Sequence, residues 1–265
     1  MTNKKENFGN YIINNKEELL RKKKRKIVIK RTFIFLVLLI VISVTLCLTL
    51  PVFNLQNVLV TGNSKVSEEE ILTLSAIQEG TNVFKINTKN VAIQVKENPY
   101  IEKVKVKRKY PNSINIEVEE RVRAFYIKTE NSYYIIDDKG YVLSQEAELE
   151  DPFLIELTTI DEANLVVGKQ IQGYDENGLN SLAYIFEFLR INNLFDRYTI
   201  PKIEINNFVS LNLYINETYL KIGTMDDLYN KLSRGFNILN NDDVKAMKGY
   251  IDVSFDGNPV IYKAE

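Results

Sequence analysis

Residues 32–50, TFIFLVLLIVISVTLCLTL, contain no charged side chain, and only Thr32, Ser43, Thr45 and Thr49 among them are polar. As a helix rising about 1.5 Å per residue the run extends roughly 28 Å, close to the hydrocarbon thickness of a bilayer. Eight cations stand against its N-terminal end: Arg21, Lys22, Lys23, Lys24, Arg25, Lys26, Lys30 and Arg31. Such a block is foreign to a buried core helix, and by the positive-inside rule it sets the N-terminus in the cytoplasm. A cleavable signal peptide would have a shorter apolar core and a small-x-small site, whereas Leu48, Thr49, Leu50 and Pro51 follow here. A lipoprotein needs a small residue before its cysteine, and Leu46 precedes Cys47. The sequence therefore predicts a retained single span, with everything after Pro51 outside. The basic tract also suits anionic lipid, and it lacks the interleaved aromatics that a nucleic-acid surface would carry.

Charge is divided along the chain. Residues 1–31, which include Lys4, Lys5 and Lys16, carry +8, and residues 51–265 carry −9, within a total of −1. A basic head, a neutral apolar stretch and an acidic body imply three compartments. At roughly 150 residues per domain, 265 residues allow one or two cores, and 45% apolar composition excludes disorder over the whole length. The chain has no histidine, which removes the commonest general acid/base and every Ser-His-Asp or Cys-His arrangement. Its one cysteine, Cys47, lies in the apolar run, so there is no disulfide framework and no CxxC. G-x-S-x-G, P-loop, HExxH, EF-hand and Ser-x-x-Lys patterns are all missing. No active site, metal or cofactor is expected.

Beyond the apolar run, residues 57–60 (NVLV) begin a strand that stops at the Gly62-Asn63 turn. Ser67-Glu68-Glu69-Glu70 reads as a capping box, with the Ser67 hydroxyl accepting from the Glu70 amide and the Glu70 carboxylate answering at Ser67. A short helix through Leu74 follows. Thr88 opens a second helix with Val91, Ala92 and Val95 on one face, ending by Asn98-Pro99. Val104 and Val106 then alternate with lysines, and after Tyr110-Pro111-Asn112-Ser113, Ile114, Ile116 and Val118 alternate with Asn115, Glu117 and Glu119. A hairpin centred on Pro111 sets Lys105 opposite Glu117 and Lys103 opposite Glu119. Cross-strand ion pairs thus account for runs that resemble a binding patch and a carboxylate cluster.

The order β-α-α-β-β directly after a membrane span carries a resemblance. The segments VFNLQNVLVTGNSKVSEEEIL and NTKNVAIQVKENPYIEKVKVKRKYPNSINIEVEERVRAFYI resemble the POTRA domain and exit strand of the FtsQ/DivIB family, single-pass cell-division proteins of bacteria. The cues are the Gly62-Asn63 turn, Asn98-Pro99-Tyr100-Ile101, the Tyr110-Pro111-Asn112 hairpin and the Glu119-Glu120-Arg121 exit. The resemblance covers nearly everything from Arg21 to Tyr262. It implies an α+β chain in four parts: a basic cytoplasmic tail (1–31), a transmembrane helix (32–50), a POTRA-like domain (51–122) and a β-rich C-terminal domain with packed helices (123–265).

The second half reads accordingly. Residues 124–129 and 133–136 are strands, Asp137-Asp138-Lys139-Gly140 is a tight turn, and residues 141–143 return. In an Asp-Asp-x-Gly turn both carboxylates serve local backbone bonds, which explains them without catalysis. Residues 177–191 form an amphipathic helix with Leu179, Leu182, Ala183, Phe186 and Leu189 in register, and strands are predicted at 202–205, 209–215 and 219–222. Thr224, three residues before Asp227, is read as the cap of a helix that aligns Leu228, Leu232, Phe236 and Leu239. Both stripes are core. The last strand, residues 250–255, alternates Ile251, Val253 and Phe255 with Asp252 and Ser254, and residues 260–262 follow the turn 256–259.

A terminal apolar strand is an open edge unless another chain pairs with it. In the FtsQ/DivIB family this region, after an Ile-Asp-Leu-Arg-like segment, receives the extracytoplasmic part of the FtsB/DivIC partner. Here the segment is Ile251-Asp252-Val253-Ser254. A salt bridge carried over from the family thus loses its cation, while backbone pairing is unaffected. The resemblance implies a noncatalytic scaffold at the division septum. It would recruit FtsB/DivIC-like and FtsL-like membrane proteins, with the septal transpeptidase as a further partner, through Phe255, Gly257, Val260 and Tyr262. The competing reading is a membrane-anchored glycan-active enzyme, which requires two carboxylates roughly 5–9 Å apart in one cleft. A POTRA of an outer-membrane assembly factor fits less well, because that family lacks a cytoplasmic basic head and continues into a barrel.

Overall fold

The computed structural model describes residues 16–173, 176–206, 210–241, 244 and 247–264. Lys4 and Lys5 of the basic head, and Val209 at the start of a predicted strand, lie outside the described residues. The fold class is the expected one: an apolar N-terminal helix, a small α/β unit in POTRA order, and a larger β-rich region with helices.

Helix α1 (Lys16–Thr49) is unbroken, so the basic block and the apolar run belong to one helix. Its segment 20–49 is long and apolar enough, by length and composition, to cross a membrane. The exposed Lys22 makes an i,i+4 ion pair with Glu18 at 2.7 Å. A 3₁₀ turn (Pro51–Phe53) leads to β1 (Asn57–Thr61), α2 (Glu68–Ser75), α3 (Thr88–Val95), β2 (Ile101–Lys109) and β3 (Ser113–Glu120), and the three strands form a sheet in the order β1-β3-β2.

By its internal packing the chain divides into two compact units. One comprises the residues up to Leu59 together with Ile77–Thr88 and Lys107–Asn115; the other comprises Val60–Ala76, Lys89–Val106 and the chain from Ile116 onward. In the first, backbone bonds tie the segment after α1 to the loop before α3: Leu55 N–H to Thr81 O and Val83 N–H to Phe53 O, both 2.9 Å.

In the second unit, local sequence signals act largely as read. The Ser67 hydroxyl accepts from the Glu70 amide at 3.1 Å. The other half of the capping box is not formed: Glu70 Oε1 instead accepts from Asn98 Nδ2 at 2.7 Å. Lys103 pairs with Glu119 at 2.9 Å, as the hairpin register requires. Ile116 and Val118 are buried. Glu120 does more than decorate a strand, because its carboxylate accepts the amides of Ser64, Lys65 and Val66 at 2.8–3.1 Å and closes the loop after Gly62. Gly62 adopts φ +87°, and a Cβ there would lie 2.1 Å from the Val118 carbonyl oxygen, so only glycine fits.

The remaining strands are β4 (Arg123–Lys128), β5 (Tyr133–Asp137), β6 (Val142–Glu146), β7 (Ile155–Thr158), β8 (Lys202–Asn206), β9 (Ser210–Ile215), β10 (Thr218–Gly223), β11 (Gly249–Asp252) and β12 (Val260–Lys263). They form one nine-stranded sheet in the order β12-β11-β10-β9-β8-β7-β4-β5-β6. Helix α4 (Glu176–Ile191) connects the parallel pair β7/β8, and α5 (Leu228–Leu239) connects β10/β11. Their apolar faces, including Leu182, Ile185, Leu189, Leu232, Phe236 and Leu239, share one core with Leu213, Leu220 and Ile251 of the sheet. Gly235 allows α5 this approach, since a Cβ there would meet Leu220 Cδ1 at 2.7 Å.

Three readings need correction. Thr224 does not cap α5. The N-cap is Asp227, in a left-handed conformation and without a side-chain cap bond, while the Thr224 hydroxyl donates to Asp226. The helix start is anchored instead by the buried Lys231, whose Nζ donates to Thr224 O at 3.0 Å. Strand β7 occurs where the sequence pattern predicts none. Finally, the strand read through Phe255 ends at Asp252, and Phe255 is 42% exposed rather than on the apolar face with Ile251 and Val253. Asp252 Oδ1 captures both the amide and the hydroxyl of Ser254, at 3.0 and 2.6 Å, and this Asx turn takes the chain out of the sheet.

Candidate partner-binding edge

The two ends of the large sheet are finished differently. At β6 the segment 168–171 lies along the outer side: Val142 N–H donates to Lys169 O, Gly168 N–H to Val142 O and Ile171 N–H to Gly140 O, each at 2.9 Å. At the other end β12 pairs with β11 alone, and among the described residues no strand lies on its far side. All four residues of β12 are exposed.

Register decides what this edge offers. The strands are antiparallel, with Tyr250 opposite Tyr262 and Ile251 opposite Ile261. Ala264 N–H donates to Lys248 O at 2.8 Å. In an antiparallel ladder hydrogen-bonded pairs alternate, so residues 264, 262 and 260 direct their backbone groups toward β11. The backbone N–H and C=O of Ile261 and Lys263 then point away from the sheet.

Side chains approach the edge in two rows, one on each face. On the core face, cross-strand pairing lines up Leu157, Ile203, Leu213, Leu220, Ile251 and Ile261. The first five are at most 1% exposed and Ile261 is 48% exposed, so the aliphatic row runs out of cover at the last strand. On the opposite face Tyr214, Tyr219, Tyr250 and Tyr262 form a ladder with ring centroids 5.0, 5.7 and 5.1 Å apart. Lys202 and Lys221 lie over the Tyr214 and Tyr250 rings at 4.1 and 3.6 Å. Burial, then the hydrogen bond to Glu204, pushes the Tyr214 hydroxyl up to about 12, so this rung is neutral at ordinary pH.

Two further residues hold the edge in place. Gly249 (φ +147°) begins β11, and a Cβ there would lie 2.0 Å from Tyr262 O, so the close approach of β12 depends on glycine. Arg234, on α5, donates to the carbonyls of Gly257, Phe255 and Val253 at 3.1–3.4 Å and clamps the β11–β12 connection. A guanidinium thus reaches this segment from the helix, although position 254 is serine.

Of the residues singled out from sequence, Val260 and Tyr262 sit together on the tyrosine face of the edge. Phe255 and Gly257 belong to the connection that precedes it. Ile261, Lys263, Gly249 and Arg234 were missed. Only Ile261 carried a usable signal, as the apolar residue between two others in a terminal strand. The cations Arg21 to Lys26, Lys30 and Arg31 are exposed along α1.

Several carboxylates elsewhere have structural partners. Asp137 Oδ1 accepts the amides of Lys139 and Tyr141 at 2.9 and 2.6 Å, and its Oδ2 accepts from Arg121, as a turn residue should. Burial first, and then the neighbouring Asp137, raise the pKa of Asp138. A groove of about 650 Å³ between α4 and the start of α5 is lined by Asp226 and Asp227 among others. The hydrogen bond from Thr224, and then Lys231, lower the pKa of Asp226, the reverse of what a glycosidic general acid needs. Asp227 accepts from Asn230 Nδ2 at 2.7 Å. Among the described residues, no group of three or more Cys, Asp or Glu is placed to hold a metal ion.

Residues 53–121 match the family model for the POTRA domain of FtsQ type. The chain is 37% identical to cell division protein DivIB of Clostridium botulinum strain Hall over 234 residues, 88% of this chain and 91% of that protein. It is 27% identical to DivIB of Bacillus subtilis strain 168 over 68% of this chain and 64% of that protein. It is also 32% identical to cell division protein FtsQ of Syntrophotalea carbinolica over 35% of this chain and 33% of that protein. With a helix long and apolar enough to cross a membrane, its POTRA order and this agreement over most of its length, the chain belongs to the DivIB/FtsQ family of cell division proteins.

Proposed function

We propose that the chain is a noncatalytic scaffold of the division machinery that recruits a partner by β-strand addition at β12. The observation that carries this reading is the unfinished edge: outward main-chain groups at Ile261 and Lys263, an aliphatic row ending in exposed Ile261 and a tyrosine ladder ending in exposed Tyr262. An added strand would satisfy the backbone groups and extend both rows at once. The partners are FtsB/DivIC-like and FtsL-like membrane proteins, with the septal transpeptidase as a further member of the assembly. The cations before the span support an N-terminus in the cytoplasm and a folded region outside, and the family's division role supports a position at the septal membrane. Two partners each tethered by one span share a thin layer above the bilayer, which raises their effective concentration without any new contact. Carboxylates held by turns, caps and ion pairs support a scaffold over a glycan-active enzyme.

The test is co-purification of the full-length chain with its DivIC-like partner. Tyr262→Lys places a charge at the exposed end of the ladder and is expected to weaken binding roughly thirtyfold, the loss of one hot-spot residue worth about 2 kcal/mol. Phe255→Lys, in the connection, is expected to weaken it less. Undiminished recovery with both variants would remove the edge assignment.

A further inference from the structure

The end of α1 and the nearest folded segments form a single network within the first compact unit. The last carbonyls of a helix lack intrahelical donors, and here the buried Asn82 donates from Nδ2 to Cys47 O at 2.9 Å, inside the final turns of α1. Asn82 Oδ1 in turn accepts from the Phe84 amide at 3.0 Å. Phe53, in the turn that follows the helix, meets Phe84 edge-on at 5.2 Å, and Phe84 stacks on Tyr110 of the β2–β3 turn at 5.2 Å. Arg108 closes the network, donating to Val83 O and Ile86 O at 2.8 and 2.6 Å.

Phe53 lies only three positions beyond Leu50, the end of the apolar run, so at most about 10 Å of chain separates them. Phe53 is therefore held within reach of the headgroup layer of whatever bilayer α1 crosses, and the stack continues from it through Phe84 to Tyr110. Its outer member Tyr110 is 62% exposed, and Val52 is 54% exposed. Lys85 and Lys109, each adjacent in sequence to a ring of the stack, are exposed as well. Tyrosine is enriched at membrane interfaces, and lysine ammonium groups near the surface attract anionic lipid.

We propose that this end of the first compact unit, through the exposed Val52, Tyr110, Lys85 and Lys109, is a membrane-seating surface that rests in the headgroup layer beside the C-terminal end of α1 and binds anionic phospholipid. The inference rests on α1 being a span. Seating would fix the height and tilt of the first compact unit at the membrane surface.

The chain has no tryptophan, so a single introduced indole reports unambiguously. Full-length Tyr110→Trp and Leu38→Trp are reconstituted separately in nanodiscs, and quenching by lipids brominated along their chains is measured. Quenching of both is the expected result, with the indole at position 110 quenched severalfold more in discs containing phosphatidylglycerol than in phosphatidylcholine alone. Adding Lys85→Gln and Lys109→Gln to Tyr110→Trp should bring its quenching down to the phosphatidylcholine level. A quenched indole at position 38 beside an unquenched one at position 110 would overturn the seating surface while leaving the span intact. An unquenched indole at position 38 would overturn both. Equal quenching at position 110 in the two lipids, or no change on removing the lysines, would reject anionic-lipid binding.

Discussion

Arg121→Ala is expected to lower the stability of the folded region by about 3–5 kcal/mol, the usual cost of leaving one member of a buried ion pair behind. Arg121 Nη1 lies 2.8 Å from Asp137 Oδ2, with the two side chains 13% and 1% exposed. The guanidinium also packs over the Tyr141 ring at 3.8 Å from its centroid. Without Arg121, the Asp137 carboxylate keeps only the amides of Lys139 and Tyr141 in a site that water does not reach. A loss of this size is a large share of the roughly 5–15 kcal/mol that holds a typical domain folded. Chemical denaturation followed by circular dichroism measures it, and a change under about 1 kcal/mol would contradict the role given to the pair.

Ile261→Pro is expected to reduce affinity for the DivIC-like partner by at least about a hundredfold, or about 2.7 kcal/mol, while shifting stability by no more than about 1 kcal/mol. The asymmetry follows from register. Proline lacks an N–H and is tolerated on an edge strand where that N–H faces solvent. Because Ala264 donates to Lys248 O, residues of the parity of 261 direct their amides away from β11, and the protein's own ladder loses nothing. An incoming strand would lose a donor and meet the pyrrolidine ring. Titration of purified partner onto full-length wild-type and variant chains decides the matter, and equal affinities would mean that the partner docks elsewhere.

The contrast between what was and was not legible in the sequence is physical. The Ser67 cap, the Lys103–Glu119 pair and the Asp137 turn were readable because each signal and its partner belong to one local motif whose geometry the spacing dictates. Strand β7 was missed because Ile155–Thr158 has only four residues and pairs in parallel with both β4 and β8, so no hairpin turn announces it. At Thr224 the sequence imitated a cap, but Lys231 bonds the Thr224 carbonyl and the hydroxyl turns to Asp226.

The site divides in the same way. The strand read as 250–255 is interior, with β10 on one side and β12 on the other, and the edge falls instead to β12, over the residues read as 260–262. Which of its backbone groups face outward depends on whether 261 or 262 falls in the hydrogen-bonded pair, and pattern alone does not fix that parity. Phe255 was misplaced by extending the Ile251–Val253 alternation past Asp252, where a side-chain bond to Ser254 overrides it. Arg234 acts from a helix 19 to 23 residues away in sequence, beyond any local pattern.

Amide hydrogen exchange of the full-length chain, read residue by residue with and without the DivIC-like partner, probes strand addition most directly. The account requires the amides of Ile261 and Lys263 to exchange rapidly in the free chain and slowly in the complex, while Tyr262, already bonded to β11, changes little. Rapid exchange at 261 and 263 in a saturated complex would contradict it.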